Sequence, residues 1–381
     1  MTEGSVCASK SCHEVTDEMS GDGCPSSVYL RQPPSPEGEG KKDYYMKIIV
    51  DAMGGDNAPL EILKGCLLAL DEFDIDEIIL VGDEAKINAC ANENGIELKK
   101  MTVHHCTDTI EMCDDPTSVL KAKPDASMAV GFRLLNEGAG DAFVSAGNTG
   151  AITVGATLIT KRIKGVKRPA IASIMPSAEK PFLLMDCGAN AECRAEFLCQ
   201  FGLLGSLYMK YVMGYENPTV ALANNGTEET KGTPVVKEAF QLMKDAPYHF
   251  IGNIEGRQIP FGDADVVVAD GFTGNLILKM YEGVAKVLMN GIKNAFYKNT
   301  LSKISYLGVR SGINEMKTQF DYKEYGGAVM LGVKKPVIKA HGSADARTFK
   351  NAIKQAVWFL QTDLIHKIEE ELKNESFRKE N

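Results

Sequence analysis

The chain lacks the features that mark several common classes of protein. It has one tryptophan in 381 residues and a formal charge of −9, and no run of 18 or more apolar residues occurs. Nucleic-acid-binding proteins need a basic surface that holds the phosphate backbone, and a membrane-spanning helix needs about 20 apolar residues. We therefore expect no nucleic-acid partner and no membrane span.

Signals for export, redox chemistry and metal binding are also missing. The N-terminus has no basic stretch followed by an apolar core, which a secretory signal requires. The ten cysteines are scattered and form no CxxC pair, which indicates thiols of a reducing cytoplasm. The nearest approach to a metal cluster is His104, His105, Cys106 and Cys113, whose spacing matches no ligand pattern. The sequence predicts a cytoplasmic protein without a metal or cofactor.

Residues 1–45 differ in composition from the rest of the chain. They contain few branched aliphatic residues, and they include Cys7, Cys12, Cys24 and a proline-rich run at residues 33–36. Such a segment buries too little apolar surface to offset the entropy lost on ordering. We expect a disordered extension at residues 1–45 and one catalytic domain at residues 46–381.

From Met46 onward, a short apolar strand, a turn rich in Gly, Asn and Asp, and an amphipathic helix recur several times. This alternation predicts an α/β fold with a doubly wound, mostly parallel sheet covered on both faces. Ligands of such sheets bind where the strands end at their carboxyl termini. We therefore expect the polar turns to converge on one site at one edge of the sheet.

A segment at about residues 285–325 departs from this alternation. Apolar side chains recur there every three or four residues, among several lysines, as at Tyr297, Leu301 and Ile304. The pattern predicts a protruding helical arm with an apolar stripe. A dimer or core contact is the favoured role of this stripe, and contact with a membrane surface is the alternative.

Four of the turns supply candidate binding residues. Their glycines permit close backbone approach to a ligand, and their polar side chains and helix starts can bind an anion or orient other donors. The alternative is that each is only a tight strand-to-helix turn. The candidates are Asp51, Gly54, Gly55, Asp56 and Asn57; Ser145, Gly147, Asn148, Thr149 and Gly150; Asp186, Gly188 and Asn190; Asp270, Gly271, Thr273, Gly274 and Asn275; and Ser343 before the last helix.

Asn275 and two further residues, Lys231 and His341, are the candidates for catalysis. Lys231 follows another such turn and could hold phosphate or polarise a carbonyl group, although a solvated surface lysine is the alternative. His341 stands beside a glycine and could protonate a leaving group, although a structural histidine is equally consistent with its spacing. The nucleophile elbow Gly-x-Ser-x-Gly is absent. An anionic oxygen nucleophile such as phosphate needs no catalytic triad, because it has only to be held and aimed.

At these residues the sequence resembles the PlsX family of phosphate acyltransferases, from Met46 to about Leu372. The resemblance is carried by five ordered motifs: residues 51–59 (Asp-Ala-Met-Gly-Gly-Asp-Asn-Ala-Pro), 145–151 (Ser-Ala-Gly-Asn-Thr-Gly-Ala), 186–190 (Asp-Cys-Gly-Ala-Asn), 264–275 (Ala-Asp-Val-Val-Val-Ala-Asp-Gly-Phe-Thr-Gly-Asn) and 340–345 (Ala-His-Gly-Ser-Ala-Asp). Two departures are the N-terminal extension and Gln258, where the family pattern has Asp.

The resemblance implies a fold like that of the isocitrate dehydrogenases and phosphotransacetylase, in a homodimer with the arm near its interface. It also implies transfer of a fatty acyl group from acyl-carrier protein to inorganic phosphate, reversibly, giving acyl phosphate for phospholipid synthesis. The product would feed a membrane glycerol-3-phosphate acyltransferase, and some relatives associate peripherally with the membrane.

The sequence supports a specific hypothesis for the mechanism. Phosphate binds the N–H groups of residues 147–150 beside Lys231 and Asn190, and the thioester carbonyl faces the oxyanion donors of residues 271–275. His341 protonates the departing thiolate. The alternatives are a phosphotransacetylase acting on a short-chain CoA thioester, a dehydrogenase, and a non-enzymatic scaffold on the membrane surface. The dehydrogenase is disfavoured because no Gly-x-Gly-x-x-Gly follows the first strand.

Overall fold

The structure is a computed structural model that describes residues 45–373. The extension expected at residues 1–45 lies almost entirely outside these residues. Within residues 45–373, no helix combines the length and apolar character needed to cross a bilayer.

Residues 45–373 contain one sheet of eleven strands, several of which are fully buried because they consist of branched apolar residues. The strands are β1 (Lys47–Asp51), β2 (Glu77–Gly82), β3 (Met101–His105), β4 (Ala142–Ser145), β5 (Ala170–Met175), β6 (Phe182–Met185), β7 (Thr219–Asn224), β8 (His249–Glu255), β9 (Val266–Val268), β10 (Gly327–Leu331) and β11 (Val337–Ala340).

Helices follow most of the strands. They are α1 (Leu60–Glu72), α2 (Glu84–Glu93), α3 (Ser127–Glu137), α4 (Thr149–Gly155), α5 (Ala195–Tyr211), α6 (Pro234–Lys244), α7 (Gly271–Tyr297), α8 (Thr300–Gln319), α9 (Ala346–Leu360) and α10 (Leu364–Lys373). A π-helical segment, Ala156–Thr160, continues α4 directly.

The strand order is β3-β2-β1-β4-β11-β10-β5-β6-β9-β7-β8. The first five strands form one parallel block and the last four form another. Between them, β10 is antiparallel to β11 and β5, and β5 is antiparallel to β6. These three reversals make the second block run opposite to the first. The doubly wound, mostly parallel sheet is confirmed, but the expectation that all polar turns meet at one edge is wrong. The carboxyl ends of the strands in the two blocks, with the polar turns that follow them, lie at opposite edges of the sheet.

Alternating side chains divide the core into two layers. Ile48 and Val50 pack with α1, α2, α5, α6, α9 and α10 on one face of the sheet. Ile49 and Phe143 pack with α3, α4 and the start of α7 on the other face. Because β4 and β11 are paired in parallel register, side chains such as Ser145 and Lys339 share this second face.

The predicted helical arm is formed by the second half of α7 and by α8. Only Gly271 and Gly274 of α7 are buried, and no residue of α8 is buried. Gln319 at the end of α8 returns the chain to the sheet, because its side-chain amide donates to the carbonyl oxygens of Ser177 and Ala178. The helix that leads into the arm begins at Gly271, in contact with the Asn190 turn, and its second half forms the arm.

Candidate active site

The turns after β1 and β4 are joined by a buried carboxylate. The hydroxyl of Ser145 donates to Asp51 Oδ2 at 2.7 Å, and the N–H of Gly147 donates to Ser145 Oγ at 3.0 Å. Asp51 also accepts from the N–H of Met53 at 3.2 Å. Burial raises the pKa of Asp51, and these donors oppose the rise. The Asp51 carboxylate therefore ties the turns after β1 and β4 together through hydrogen bonds within the protein.

The turn after β11 packs directly against the turn after β1. The N–H of Asp56 donates to the carbonyl oxygen of Gly342 at 2.8 Å, and Asn57 Nδ2 donates to Ala344 O at 3.1 Å. Gly55 has a φ of +100°, and a Cβ there would lie 2.9 Å from Gly342 O. Only glycine fits this close approach. Three of the predicted motifs therefore form one continuous surface at the edge of β1, β4 and β11.

Asn148 fixes the start of α4. Its Oδ1 accepts from the N–H of Ala151 at 3.0 Å, and its Nδ2 donates to carbonyl oxygens of the loop at residues 111–114. Both the amide nitrogen and the amide oxygen of Asn148 therefore have partners within the protein, and they hold the helix start against the loop. It leaves the N–H groups of Thr149 and Gly150 uncapped in the first turn, where a helix favours an anion.

Lys339, which was not among the residues predicted from the sequence, lies on the sheet close to these turns. Lys339 of β11 is the direct neighbour of Ser145 in the sheet, and it is only partly exposed. Burial, with a smaller effect from Lys279 of α7, lowers the pKa of Lys339 to about 8. A positive charge is thus held where both the fold and a second cation disfavour it, as expected at an anion site.

His341 lies two residues beyond Lys339 and shares this environment. Its Nδ1 accepts from the N–H of Ser343 at 3.2 Å, so the neutral ring carries its proton on Nε2. Burial lowers the pKa of His341, and Lys279 and Lys339 lower it further. The neutral imidazole is therefore the main form near pH 7, with Nε2–H as a hydrogen-bond donor.

Helix α7 brings its own charged groups to this edge. Tyr281 donates to the carbonyl oxygen of Pro176, beyond the end of β5, at 2.6 Å, and its ring faces Phe182. The neighbouring ion pair Lys279–Glu282 has an N···O distance of 2.9 Å, and both of its members act electrostatically on Lys339 and His341. Asn275 lies one helical turn before Lys279 and therefore on the same side of α7.

The turns after β6 and β9 form a second cluster, at the opposite edge. Asp186 is fully buried and accepts hydrogen bonds from the backbone N–H groups of Ile171, Gly188, Ala189 and Asn190. The Asn190 side-chain amide donates to Asp186 and to Pro169 O. The functional groups of Asp186 and Asn190 are thus committed to the fold.

The start of α7 is likewise committed to internal contacts. The N–H of Gly271 donates to Asn190 O at 2.7 Å, and Asp270 caps the helix by accepting from the N–H and hydroxyl of Thr273. A Cβ on Gly274 would collide with the carbonyl oxygen of Asp186. The expectation that the N–H groups of this turn serve as oxyanion donors is wrong, because most of them already have partners.

Lys231 does not join the first cluster. It is exposed and follows β7, whose carboxyl end lies at the opposite edge from those of β1 and β4. Its N–H donates to Glu228 O, and its carbonyl oxygen accepts from Asn224. The predicted grouping of Lys231 and Asn190 with residues 147–150 is therefore wrong, for the same reason: the sheet reverses direction between its two blocks.

Two sequence signals could have identified the residues that were missed. Lys339 interrupts an otherwise apolar strand, two residues before His341, and this spacing places both side chains on one face. Lys279 and Glu282 lie four and seven residues after Asn275, a spacing that places the three on one side of a helix. The candidate site is thus the surface over β11, between the start of α4 and the middle of α7, which we call the groove.

Comparisons with known proteins agree with this architecture. The family model described as "Fatty acid synthesis protein" matches residues 46–367. The phosphate acyltransferase of Alkaliphilus oremlandii is 45% identical over 325 residues, which are 85% of this chain and 97% of the relative. That of Acetivibrio thermocellus is 45% identical over 329 residues, 86% of this chain and 97% of the relative.

Two solved structures share the fold at low sequence identity. A phosphotransacetylase from Streptococcus pyogenes has a TM-score of 0.55 at 18% identity, covering 83% of this chain and 94% of its own. A branched-chain phosphotransacylase from Enterococcus faecalis has a TM-score of 0.53 at 17% identity, covering 84% and 99%. The predicted phosphotransacetylase-like fold is confirmed. With the family match over most of its length, the chain belongs to the PlsX family of phosphate acyltransferases and is an acyltransferase.

Proposed function

We propose that the protein transfers a fatty acyl group from acyl-carrier protein to inorganic phosphate, giving acyl phosphate and the free carrier thiol. The observation that carries the proposal is the cluster of Lys339, Lys279 and His341 beside the uncapped start of α4. Cations and helix N–H groups directed at one point favour an oxyanion such as phosphate. A thioester brought to the same groove meets a nucleophile that is already charged.

The chemistry needs positioning more than activation. A phosphate oxygen attacks the thioester carbonyl carbon and forms a C–O bond, and the carbonyl electrons move onto oxygen. As the carbonyl re-forms, the C–S bond breaks and the thiolate leaves with the electron pair. In this scheme Lys339 and Lys279 hold the phosphate, and Lys339 also stabilises the transient oxyanion.

His341 assists the leaving group in this scheme. A thiol has an ordinary pKa of about 8.5, so its thiolate is a competent leaving group without full protonation. Because the pKa of His341 is lowered, its Nε2–H stabilises the thiolate chiefly as a hydrogen-bond donor near pH 7. The proton that finally neutralises the thiolate comes from this group or from water.

The partners follow from the same proposal. The donor is acyl-carrier protein in the cytoplasm, and a membrane glycerol-3-phosphate acyltransferase consumes the product. Exposed apolar side chains along one side of α7 and on α8 support a homodimer through the arm and peripheral contact with the membrane. They are Leu276, Met280, Val284, Val287, Leu288, Leu301, Ile304 and Leu307.

The test is a product assay. Purified protein is incubated with palmitoyl-carrier protein and phosphate, and acyl phosphate is trapped with hydroxylamine as the hydroxamate. Because hydroxylamine also attacks thioesters, the signal is the increase that depends on both phosphate and enzyme. Acetyl-CoA and palmitoyl-CoA are the competing donors. Phosphate-dependent product from acetyl-CoA but not from the carrier thioester would contradict the proposal in favour of a short-chain phosphotransacetylase.

A further inference from the structure

A strongly basic surface lies at the edge of the sheet opposite the proposed phosphate site. The chain as a whole has 51 acidic and 42 basic residues, yet no acidic residue occurs between Asp141 and Glu179 or between Glu324 and Asp345. We call the exposed cations of these two segments at this edge the basic patch. They are Lys161, Arg162, Lys164, Lys167, Arg168 and Lys334.

The fold holds the basic patch in place. Arg162 pairs with Val333 in an isolated bridge, and the N–H of Lys334 donates to Lys161 O at 3.0 Å. The Arg162 guanidinium donates to the carbonyl oxygens of Val166 and Lys167, which closes the loop on itself. Within residues 45–373, none of the six cations takes part in an ion pair. The patch is therefore preformed, and no carboxylate of the part of the chain that the structure describes forms an ion pair with its cations.

Helix α4 connects the basic patch to the proposed site. Thr149, Thr153 and Thr157 recur every four residues and are partly exposed, so they line one side of α4 and its π-helical continuation. The hydroxyls of Thr153 and Thr157 donate back to Thr149 O and Thr153 O, which turns their methyl groups outward. Leu158 extends this apolar track and is 57% exposed. From Thr149 to Thr160 the helical run spans about 18 Å.

We propose that the basic patch docks an acidic carrier protein, whose prosthetic arm lies along the α4 track and delivers the thioester to the phosphate. This inference rests on the proposed function. The prosthetic group of a carrier protein is a flexible chain about as long as the α4 track. The docking surface must therefore lie about one track length from the thioester carbon. The basic patch meets this condition, and its charge is complementary to an acidic protein.

An anionic membrane is the less suitable occupant of the same surface. Leu158 follows the last threonine of the track and is exposed, and it belongs to the track. The apolar side chains suited to a bilayer lie on the arm, α7 and α8, which contribute no cation to the basic patch. Binding of a lipid surface at the patch would also leave the α4 track without a function.

The experiment reverses two charges and compares donors. Lys164→Glu/Lys167→Glu is the test variant, and Lys121→Glu/Lys237→Glu, on exposed residues elsewhere, is the matched control. We expect the KM for palmitoyl-carrier protein to rise roughly tenfold in the test variant only, because docking charges govern association. The KM for phosphate and the turnover with palmitoyl-CoA should stay within twofold of wild type. Raising the salt concentration should weaken the wild type more than the test variant.

Three outcomes would overturn the inference. They are an unchanged KM for the carrier protein, an equal loss with both donors, and loss of binding to phosphatidylglycerol vesicles without any effect on the carrier. If the wild type makes no acyl phosphate from the carrier thioester, the proposed function fails. Docking is then judged by direct binding of the unacylated carrier protein, which should be weakened in the test variant and not in the control.

Discussion

Replacing Lys339 with methionine tests the proposed phosphate site most directly. Methionine keeps much of the length and apolar contact of lysine and removes only the charge. Removing one preorganised electrostatic group from an active site typically costs about 2.7–4 kcal/mol of transition-state stabilisation, a factor of about 10²–10³. Because Lys339 lies on the floor of the groove and is only partly exposed, solvent screens its charge weakly. We expect kcat/KM for phosphate to fall by about that factor.

The same substitution should not destabilise the fold. The pKa of Lys339 is lowered from 10.5 to about 8, so the folded protein disfavours its charge by at most about 3 kcal/mol, and solvent in the groove reduces this value. The penalty is fully present below pH 8, where the lysine is charged in both the folded and unfolded states. It disappears as the pH rises to 10.5. Lys339→Met should therefore be at least as stable as wild type at pH 7, and the difference should shrink by pH 10.

The assay measures kcat/KM for phosphate against pH, with urea unfolding at pH 7 and pH 10. In wild type, kcat/KM should decline as the pH rises through about 8, since the cation is lost there. The variant should lack this decline. Lys121→Met, on the exposed surface, is the control. A variant that retains activity within threefold, or that loses activity only in proportion to lost stability, would refute the assignment.

Three other substitutions, the last with a matched control, have distinct expected outcomes. His341→Gln should lower kcat with the carrier thioester by roughly 10²-fold or less, because the ring assists a leaving group that departs without full protonation; a larger loss in pH-rate measurements would contradict a donor role. Lys231→Ala should leave steady-state kinetics within twofold, because this side chain is exposed at the other edge; a tenfold loss would restore it to the site. Gly274→Ala should lower the free energy of unfolding by about 1–3 kcal/mol through overpacking against Asp186. Gly283→Ala, where the added Cβ meets nothing within 4 Å, should raise it by up to about 1 kcal/mol in urea unfolding; equal effects would contradict the packing argument.

The sequence predicted local units well and their relative direction poorly. Apolar runs such as Lys47–Asp51 and Ala142–Ser145 are strands followed by turns and helices, as their patterns indicate. Nothing in the run Ala170–Met175, however, shows that its neighbours are antiparallel, because direction is set by which strands become adjacent. Periodicity reports the environment of a side chain and not the orientation of a strand.

The same distinction explains the partial success with the site. The turns that contain Asp51, Ser145 and His341 were expected to meet, and they do, through contacts such as that of Asp56 with Gly342. The turns that contain Asp186 and Asp270 contain the same residue types, yet their carboxylates accept internal hydrogen bonds. Glycine with Asn or Asp after a strand therefore identifies a tight turn, and only the tertiary contacts decide whether its donors are available to a ligand.

The reversal of the sheet separates the turns after β6 and β9 from the first cluster, and helix α7 connects the two edges. Its first turn is locked into the cluster of Asp186 and Asn190 at one edge, and Tyr281 fixes it near the end of β5 at the other. Lys279 and Glu282 reach the first cluster only because the helix crosses the sheet between these two anchors. We therefore propose that the second cluster acts by positioning this helix, because the polar groups of Asp186 and Asn190 are committed to internal hydrogen bonds. A substitution of Asp186 should therefore lower activity by displacing Lys279. Adding a substitution of Lys279 to that variant should not lower activity further.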